Sequence, residues 1–251
     1  MAGVKDRVTL VTGAGRGIGR ETATLLASRG ARVMCVARSE EELAAVGLEY
    51  TVADLATPEG CALAVAQTEK RIGPIEVFIC NHGIGSAHER LIWEQEQATW
   101  EETMRINLDG PFYLSRLIMR GMVEGRYGRV VFTSSTAAEV AEHAGSAYNT
   151  SKLGLIGLMR SVAQDGGAFD ITSNAVLPGW VRTEMAERSA RAEADARGIT
   201  PEEVWAERAG LYGPGRVATS REVAEMIAFL ASEESSGVSG QSIKVALGGA
   251  S

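Results

Sequence analysis

Seven residues near the start, Gly13-Ala14-Gly15-Arg16-Gly17-Ile18-Gly19, constrain this chain more than any other stretch. They follow a short β-branched apolar run, Arg7 to Thr12. They precede a segment, Arg20 to Arg29, in which Ala23, Leu25, Leu26 and Ala27 recur at helical spacing before Gly30. Strand, glycine loop and helix in that order let a backbone approach a phosphate closely and meet its charge with the free N–H groups of a helix N-terminus. The expected ligand is a dinucleotide, and the plain alternative is a tight turn.

Beyond the loop, apolar runs alternate with helical periods along all 251 residues. Ala31 to Ala37, Glu49 to Ala53, Ile75 to Cys80, Gly128 to Thr133, Ile171 to Leu177 and Gln241 to Val245 read as further strands. This alternation predicts an α/β Rossmann fold, a doubly wound parallel sheet of seven strands in the order 3-2-1-4-5-6-7 with right-handed crossovers. No linker divides the chain, so residues 1–251 are read as a single domain. Capped helix starts are expected at Ser39-Glu40-Glu41-Glu42, Thr57-Pro58-Glu59, Thr99-Trp100-Glu101-Glu102 and Thr200-Pro201-Glu202-Glu203. The Thr99 helix is expected to be a long one that runs through Arg120. Glu184 to Gly215 is polar and too long for an ordinary connection, and it reads as a helical lid over a substrate or as a solvated excursion.

The net charge of −7 opposes an electrostatic hold on nucleic acid or an anionic membrane. Cys35, Cys61 and Cys80 are odd in number and lack metal-ligand spacing, which fits reduced thiols used in packing and no metal site. Neither a signal peptide nor a membrane span is visible in the sequence, so a cytoplasmic protein is expected.

A second feature carries chemistry. Tyr148 and Lys152 are four positions apart, on one face of a helix if the segment is helical. A cation beside a phenol favours the phenolate and brings the group toward proton exchange at neutral pH. Ser134 and Ser135 close the fifth strand, where open parallel sheets bind their ligands. Asn107 is a poor helix former inside an expected helix, or else simply an exposed polar position. At the end of the second strand the position that holds an acid for a ribose 2′-hydroxyl is Ala37, and Arg38-Ser39 follows. Arg38 and Arg16 together suit a 2′-phosphate, so NADP(H) is favoured and NAD(H) remains possible.

The pattern Thr12-Gly13-x-x-x-Gly17-x-Gly19, together with Asn107, Ser135, Tyr148, Lys152 and Pro178-Gly179-Trp180-Val181-Arg182-Thr183, resembles the short-chain dehydrogenase/reductase family. The resemblance covers nearly the whole chain and leans toward its ketoreductase members, of the 3-oxoacyl-ACP-reductase kind. It implies hydride exchange between a nicotinamide cofactor and a small carbonyl/alcohol pair. Ser135, which stands thirteen positions before Tyr148, would orient the carbonyl oxygen, and Tyr148 would give or take its proton. Lys152 would hold the nicotinamide ribose, and Asn107 would help relay protons through water. Gly13, Gly15, Arg16, Gly17, Ile18 and Gly19 would hold the pyrophosphate, and Asp54 and Leu55 would face the adenine. Asn81 and Gly83 would flank the cofactor, and Pro178, Gly179, Val181 and Thr183 would meet the nicotinamide. A homo-oligomer, a tetramer, is implied too. Two stretches depart from the family pattern: Cys80-Asn81-His82-Gly83, where Asn-Asn-Ala-Gly is usual, and the tail Ala246-Leu247-Gly248-Gly249. Three residues between tyrosine and lysine, where enoyl reductases have six, favour C=O over C=C chemistry. A non-catalytic NADP-binding regulator is the remaining alternative.

Overall fold

A computed structural model describes residues 3–86 and 89–249. Seven parallel strands form one sheet in the order β3-β2-β1-β4-β5-β6-β7, as the alternation predicts. They are β1 (Val8–Thr12), β2 (Arg32–Ala37), β3 (Glu49–Val52), β4 (Val77–Cys80), β5 (Gly128–Thr133), β6 (Ile171–Pro178) and β7 (Ser242–Val245). The period-2 geometry of the strands divides their side chains between two cores. Leu10, Met34, Phe78, Val130, Phe132 and Leu177 point to one face. Val11, Cys35, Val77, Ile79, Val131 and Val176 point to the other. Central strands buried on both faces read as continuous apolar runs rather than as alternation, which is why the runs were legible.

Helices α1 (Gly17–Ser28), α2 (Glu40–Ala44), α3 (Pro58–Ile72), α4 (Gln97–Met104), α5 (Gly110–Gly125), α6 (Ser146–Gly166), α7 (Glu184–Arg197), α8 (Pro201–Gly210) and α9 (Ser220–Leu230) complete the fold. Leu25 and Leu26 of α1 share the second core with Val223 and Ile227 of α9. The opposite face is covered by Val65 of α3, Leu114 and Ile118 of α5, and Leu155 and Met159 of α6. Among the described residues no helix is long and apolar enough to cross a membrane.

Two expectations about helices are corrected. The long helix expected from Thr99 to Arg120 is interrupted by a π-turn at Arg105–Asp109, which separates α4 from α5. Pro111 has no N–H to offer the carbonyl four residues back, that of Asn107, so the α-helical ladder cannot continue through this point. The capping box expected at Thr99 is absent, because α4 starts earlier, at Gln97, whose side chain reaches Glu101 at 2.6 Å. The other capped starts form: Ser39, Thr57 and Thr200 each accept from a backbone N–H three residues on.

Residues 184–215 form α7 and α8, packed on each other over Ala186, Ala190, Ala194, Val204 and Trp205. The ring of Trp180 lies edge-on to that of Trp205 and beneath the buried Arg208 guanidinium, 3.6 Å from its centroid. Both tryptophans are thereby packed into this helix pair.

Candidate active site

The C-terminal ends of β1, β4, β5 and β6 converge on one cleft, the position at which open α/β sheets bind ligands. At the β1 end, Gly13 takes a left-handed φ of 63°, and Gly19 lies directly on the Gly13 backbone. A β-carbon at Gly19 would overlap the Gly13 carbonyl oxygen and press on Asn81 Nδ2. Gly19→Ala is therefore expected to abolish dinucleotide binding and to lower Tm by several degrees, read by calorimetric titration and thermal melts. A carbonyl in the main chain cannot move aside as a flexible side chain can. Arg16 occupies the N-cap of α1 with extended backbone and gives the helix no side-chain cap, so its first N–H groups stay open to an anion. The cradle fits the pyrophosphate of a dinucleotide. Ile18 anchors the start of α1 in the core.

Thr12, at the head of the glycine motif, joins this loop to the end of β4. Its Oγ1 accepts from the N–H groups of Asn81 (3.0 Å) and His82 (3.3 Å), contacts His82 Nδ1 at 2.8 Å and reaches the Ile79 carbonyl at 3.2 Å. Burial and the charge of Lys152 push the His82 imidazole down to about 3, so it is neutral, and its buried Nε2 has no partner. Cys80, behind it, is buried and its thiol is pushed up to about 12, leaving it inert as a nucleophile.

Ser135, Tyr148 and Lys152 come together. The Ser135 hydroxyl lies beside the Tyr148 phenol, where it favours the ionised form, and Lys152 Nζ lies 5.6 Å from the phenol ring centroid. Ser134 faces the other way and donates to the Lys152 carbonyl at 2.7 Å. Lys152 Nζ donates to the Thr133 carbonyl at 3.1 Å, tying α6 to the end of β5. Burial pushes the ammonium down to about 8.

The expectation that Lys152 favours the phenolate and brings Tyr148 toward proton exchange at neutral pH is corrected here. Burial, reinforced by the Glu142 and Glu89 carboxylates, pushes Tyr148 up to about 12. Glu89 also accepts from the N–H groups of Ala147 (2.8 Å) and Tyr148 (2.7 Å), so a residue from a distant loop caps the helix that carries the tyrosine. Nothing in the spacing pointed to it.

Asn107, in the π-turn, is fully buried. Its Oδ1 accepts from Ile84 N (2.8 Å), while its Nδ2 donates to the Ile84 carbonyl (3.0 Å) and to Ser151 Oγ (3.1 Å). The amide thus clamps the loop after β4 against α6. Gly83 lies under this clamp, where a β-carbon would stand 3.1 Å from Asn107 Oδ1 and 3.4 Å from Lys152 Nζ.

On the adenosine side, Arg38 is exposed at the end of β2 and Ser39 Oγ caps α2. Asp54 accepts from Ala56 N at 3.1 Å, and Leu55 is buried beside it. On the other side, β6 ends at Pro178, and Gly179 lies against the Tyr212 hydroxyl, which accepts from Trp180 N at 2.7 Å. Thr183 Oγ1 accepts from Ala186 N as the cap of α7 and keeps its own hydrogen to donate. Val181 is buried and bridges to Ala218. His143 is exposed.

A glycine cradle on β1 and a serine, tyrosine and lysine at the ends of β5 and α6 define a dinucleotide-dependent oxidoreductase. The short chain dehydrogenase family model matches residues 7–194, and the chain belongs to that family. It is 32% identical to the 3-oxoacyl-[acyl-carrier-protein] reductase FabG of Escherichia coli K12, with 96% of each chain covered. Levodione reductase superposes with a TM-score of 0.93 at 30% identity, with 97% of each chain covered. A tryptophan-substituted variant of actinorhodin polyketide ketoreductase, solved with NADPH, superposes at 0.89 and 29% identity, again over 97% of each. The protein is thus a FabG-like oxidoreductase.

Proposed function

We propose that the protein reduces a small ketone or other carbonyl to the alcohol with NADPH, reversibly, in a single catalytic domain with α7 and α8 as its lid. The observation that carries this reading is the meeting of Ser135 and Tyr148 at the end of β5, with Lys152 buried beside them. The cofactor supplies the hydride when bound. Gly13, Gly15, Gly17, Ile18 and Gly19 hold its pyrophosphate, and Asp54, Leu55, Asn81 and Gly83 border its adenosine half. Pro178, Gly179, Val181 and Thr183 border the nicotinamide, with the Thr183 hydrogen free to donate to a carboxamide.

Ser135 donates to the carbonyl oxygen and Tyr148 protonates it as charge develops. A phenol near 12 is neutral throughout the physiological range, so it stands ready as the acid for reduction. Lys152 is the charged neighbour that stabilises the tyrosinate left behind and binds the ribose. Asn107 has both amide hydrogens used, so it would meet a relay water as an acceptor, for which its backbone carbonyl, whose α-helical donor position is Pro111, is suited. A homotetramer fits Phe112 (49% exposed) and Leu153 (55% exposed), which leave apolar surface on α5 and α6; light scattering tests it. Three buried free thiols fit a cytoplasmic setting.

The deciding experiment follows NADPH and NADH oxidation over a panel of ketones, β-ketoacyl thioesters and sugars. Stoichiometric NADPH binding without turnover on any of them would revive the regulatory reading. Arg38→Asp is expected to lower the ratio of kcat/KM for NADPH over NADH by about tenfold or more, since it replaces a phosphate partner with an acceptor for a ribose hydroxyl. An unchanged ratio would remove Arg38 from the 2′-phosphate site.

A further inference from the structure

The arginine of the glycine loop is already held by two carboxylates. Arg16 Nη1 lies 3.1 Å from Glu42 Oε1 on α2 and 3.0 Å from Glu184 Oε2, the first residue of lid helix α7. The Glu42 side chain lies flat on the loop, with Oε2 only 2.9 Å from where a β-carbon on Gly15 would sit. Arg16 is thus a strap joining three elements around the adenosine side: the glycine loop, the helix after β2 and the lid. Glu40 and Glu41 stand in the first turn of α2 with Glu42, so this rim of the site carries further negative charge beside the two carboxylates that hold Arg16.

We infer that Glu42 and Glu184 compete with a cofactor 2′-phosphate for Arg16, so that cofactors carrying this phosphate release the lid helix and those lacking it leave the strap in place. The inference rests on the reading of Arg16 as a 2′-phosphate partner. A phosphate outcompetes either carboxylate, because it presents more charge and accepts from both arms of a guanidinium. Both ion pairs are half exposed, with side-chain exposures of 34–54%, so each is weak and can open without a large penalty. The rim carboxylates nevertheless oppose the incoming anion. The preference for NADP(H) over NAD(H) is therefore smaller than the two arginines alone would produce. On release Glu184 keeps its partner within α7, Arg188 at 2.9 Å, and the lid helix is detached from the loop without being left with an unpaired charge.

The test uses two fragments that differ only in the phosphate at issue, adenosine 2′,5′-bisphosphate and 5′-AMP, titrated calorimetrically into the full chain. Glu42→Gln is expected to tighten the bisphosphate about fivefold, the upper range for an exposed ion pair, and to change 5′-AMP by less than twofold. Glu42→Ala serves as the second variant and is expected to behave alike. In the wild type the bisphosphate, but not 5′-AMP, speeds hydrogen exchange at residues 184–187, and in Glu184→Gln that exchange is already fast. Unchanged bisphosphate affinity in both Glu42 variants, equal tightening of both fragments, or ligand-independent exchange at α7 would overturn the inference. Arg16→Ala separates the two levels of the argument. If it weakens both fragments equally, Arg16 is not a 2′-phosphate partner and the cofactor reading fails too. If it weakens only the bisphosphate while the Glu42 variants are silent, the competition alone fails.

Discussion

Tyr148→Phe is expected to lower carbonyl reduction by about 10³-fold, within the range that a positioned general acid contributes, while Tm and NADPH affinity stay near the wild-type values. The phenol oxygen is the atom that would donate to the substrate, and the ring's packing survives the change. Near-normal turnover in a folded, cofactor-binding variant would show that another group supplies the proton. The wild-type pH profile carries the same assignment. With Tyr148 near 12 and Lys152 near 8, the acid stays protonated while its charged neighbour titrates. Reduction should be level below pH 7 and decline as pH rises through about 8. Alcohol oxidation, which needs the phenolate, should instead climb with pH, and initial rates in both directions from pH 6 to 10 check this.

Lys152→Met should separate stability from activity. The ammonium is pushed from 10.5 to about 8 by burial, a penalty on the folded state of about 3 kcal/mol. The sign follows from proton binding: between about 8 and 10.5 the unfolded chain holds more protons than the folded one, so wild-type stability rises with pH across that window. Methionine fills similar volume without charge and forfeits only the hydrogen bond to the Thr133 carbonyl, about 1 kcal/mol. The variant should melt about 5 °C higher at pH 7, fall slightly below the wild type above pH 10.5, where only the lost hydrogen bond remains, and lose turnover by about 10²-fold or more. A lower Tm at pH 7 would mean that the buried ammonium stabilises the fold.

Much of the fold was legible because its signals are local. Apolar runs of strand length, glycines at a strand end, and a serine or threonine followed three residues later by a glutamate are each readable within about ten residues, and here they ordered seven strands correctly. Where local signals misled, a neighbouring residue overrode them. Pro111 broke a helix whose apolar periodicity continues on both sides, and Gln97 and Glu101 started α4 before Thr99 could cap it. Adjacent residues at a strand end face different neighbours: Ser134 donates to the Lys152 carbonyl, while Ser135 lies beside the phenol.

The sequence alone determined the doubly wound topology and which residues gather at the strand ends, because strand order and the 3.6-residue period are set by the chain itself. The tertiary structure decided how those groups behave. Whether Lys152 lowers the tyrosine or is itself depressed depends on desolvation and on carboxylates that come from elsewhere in the chain, Glu89 and Glu142. Whether Arg16 stands free or strapped depends on Glu42 and Glu184, the second of which is 168 residues away. Electrostatic energies follow distance and burial in space, and neither can be read from separation along the chain.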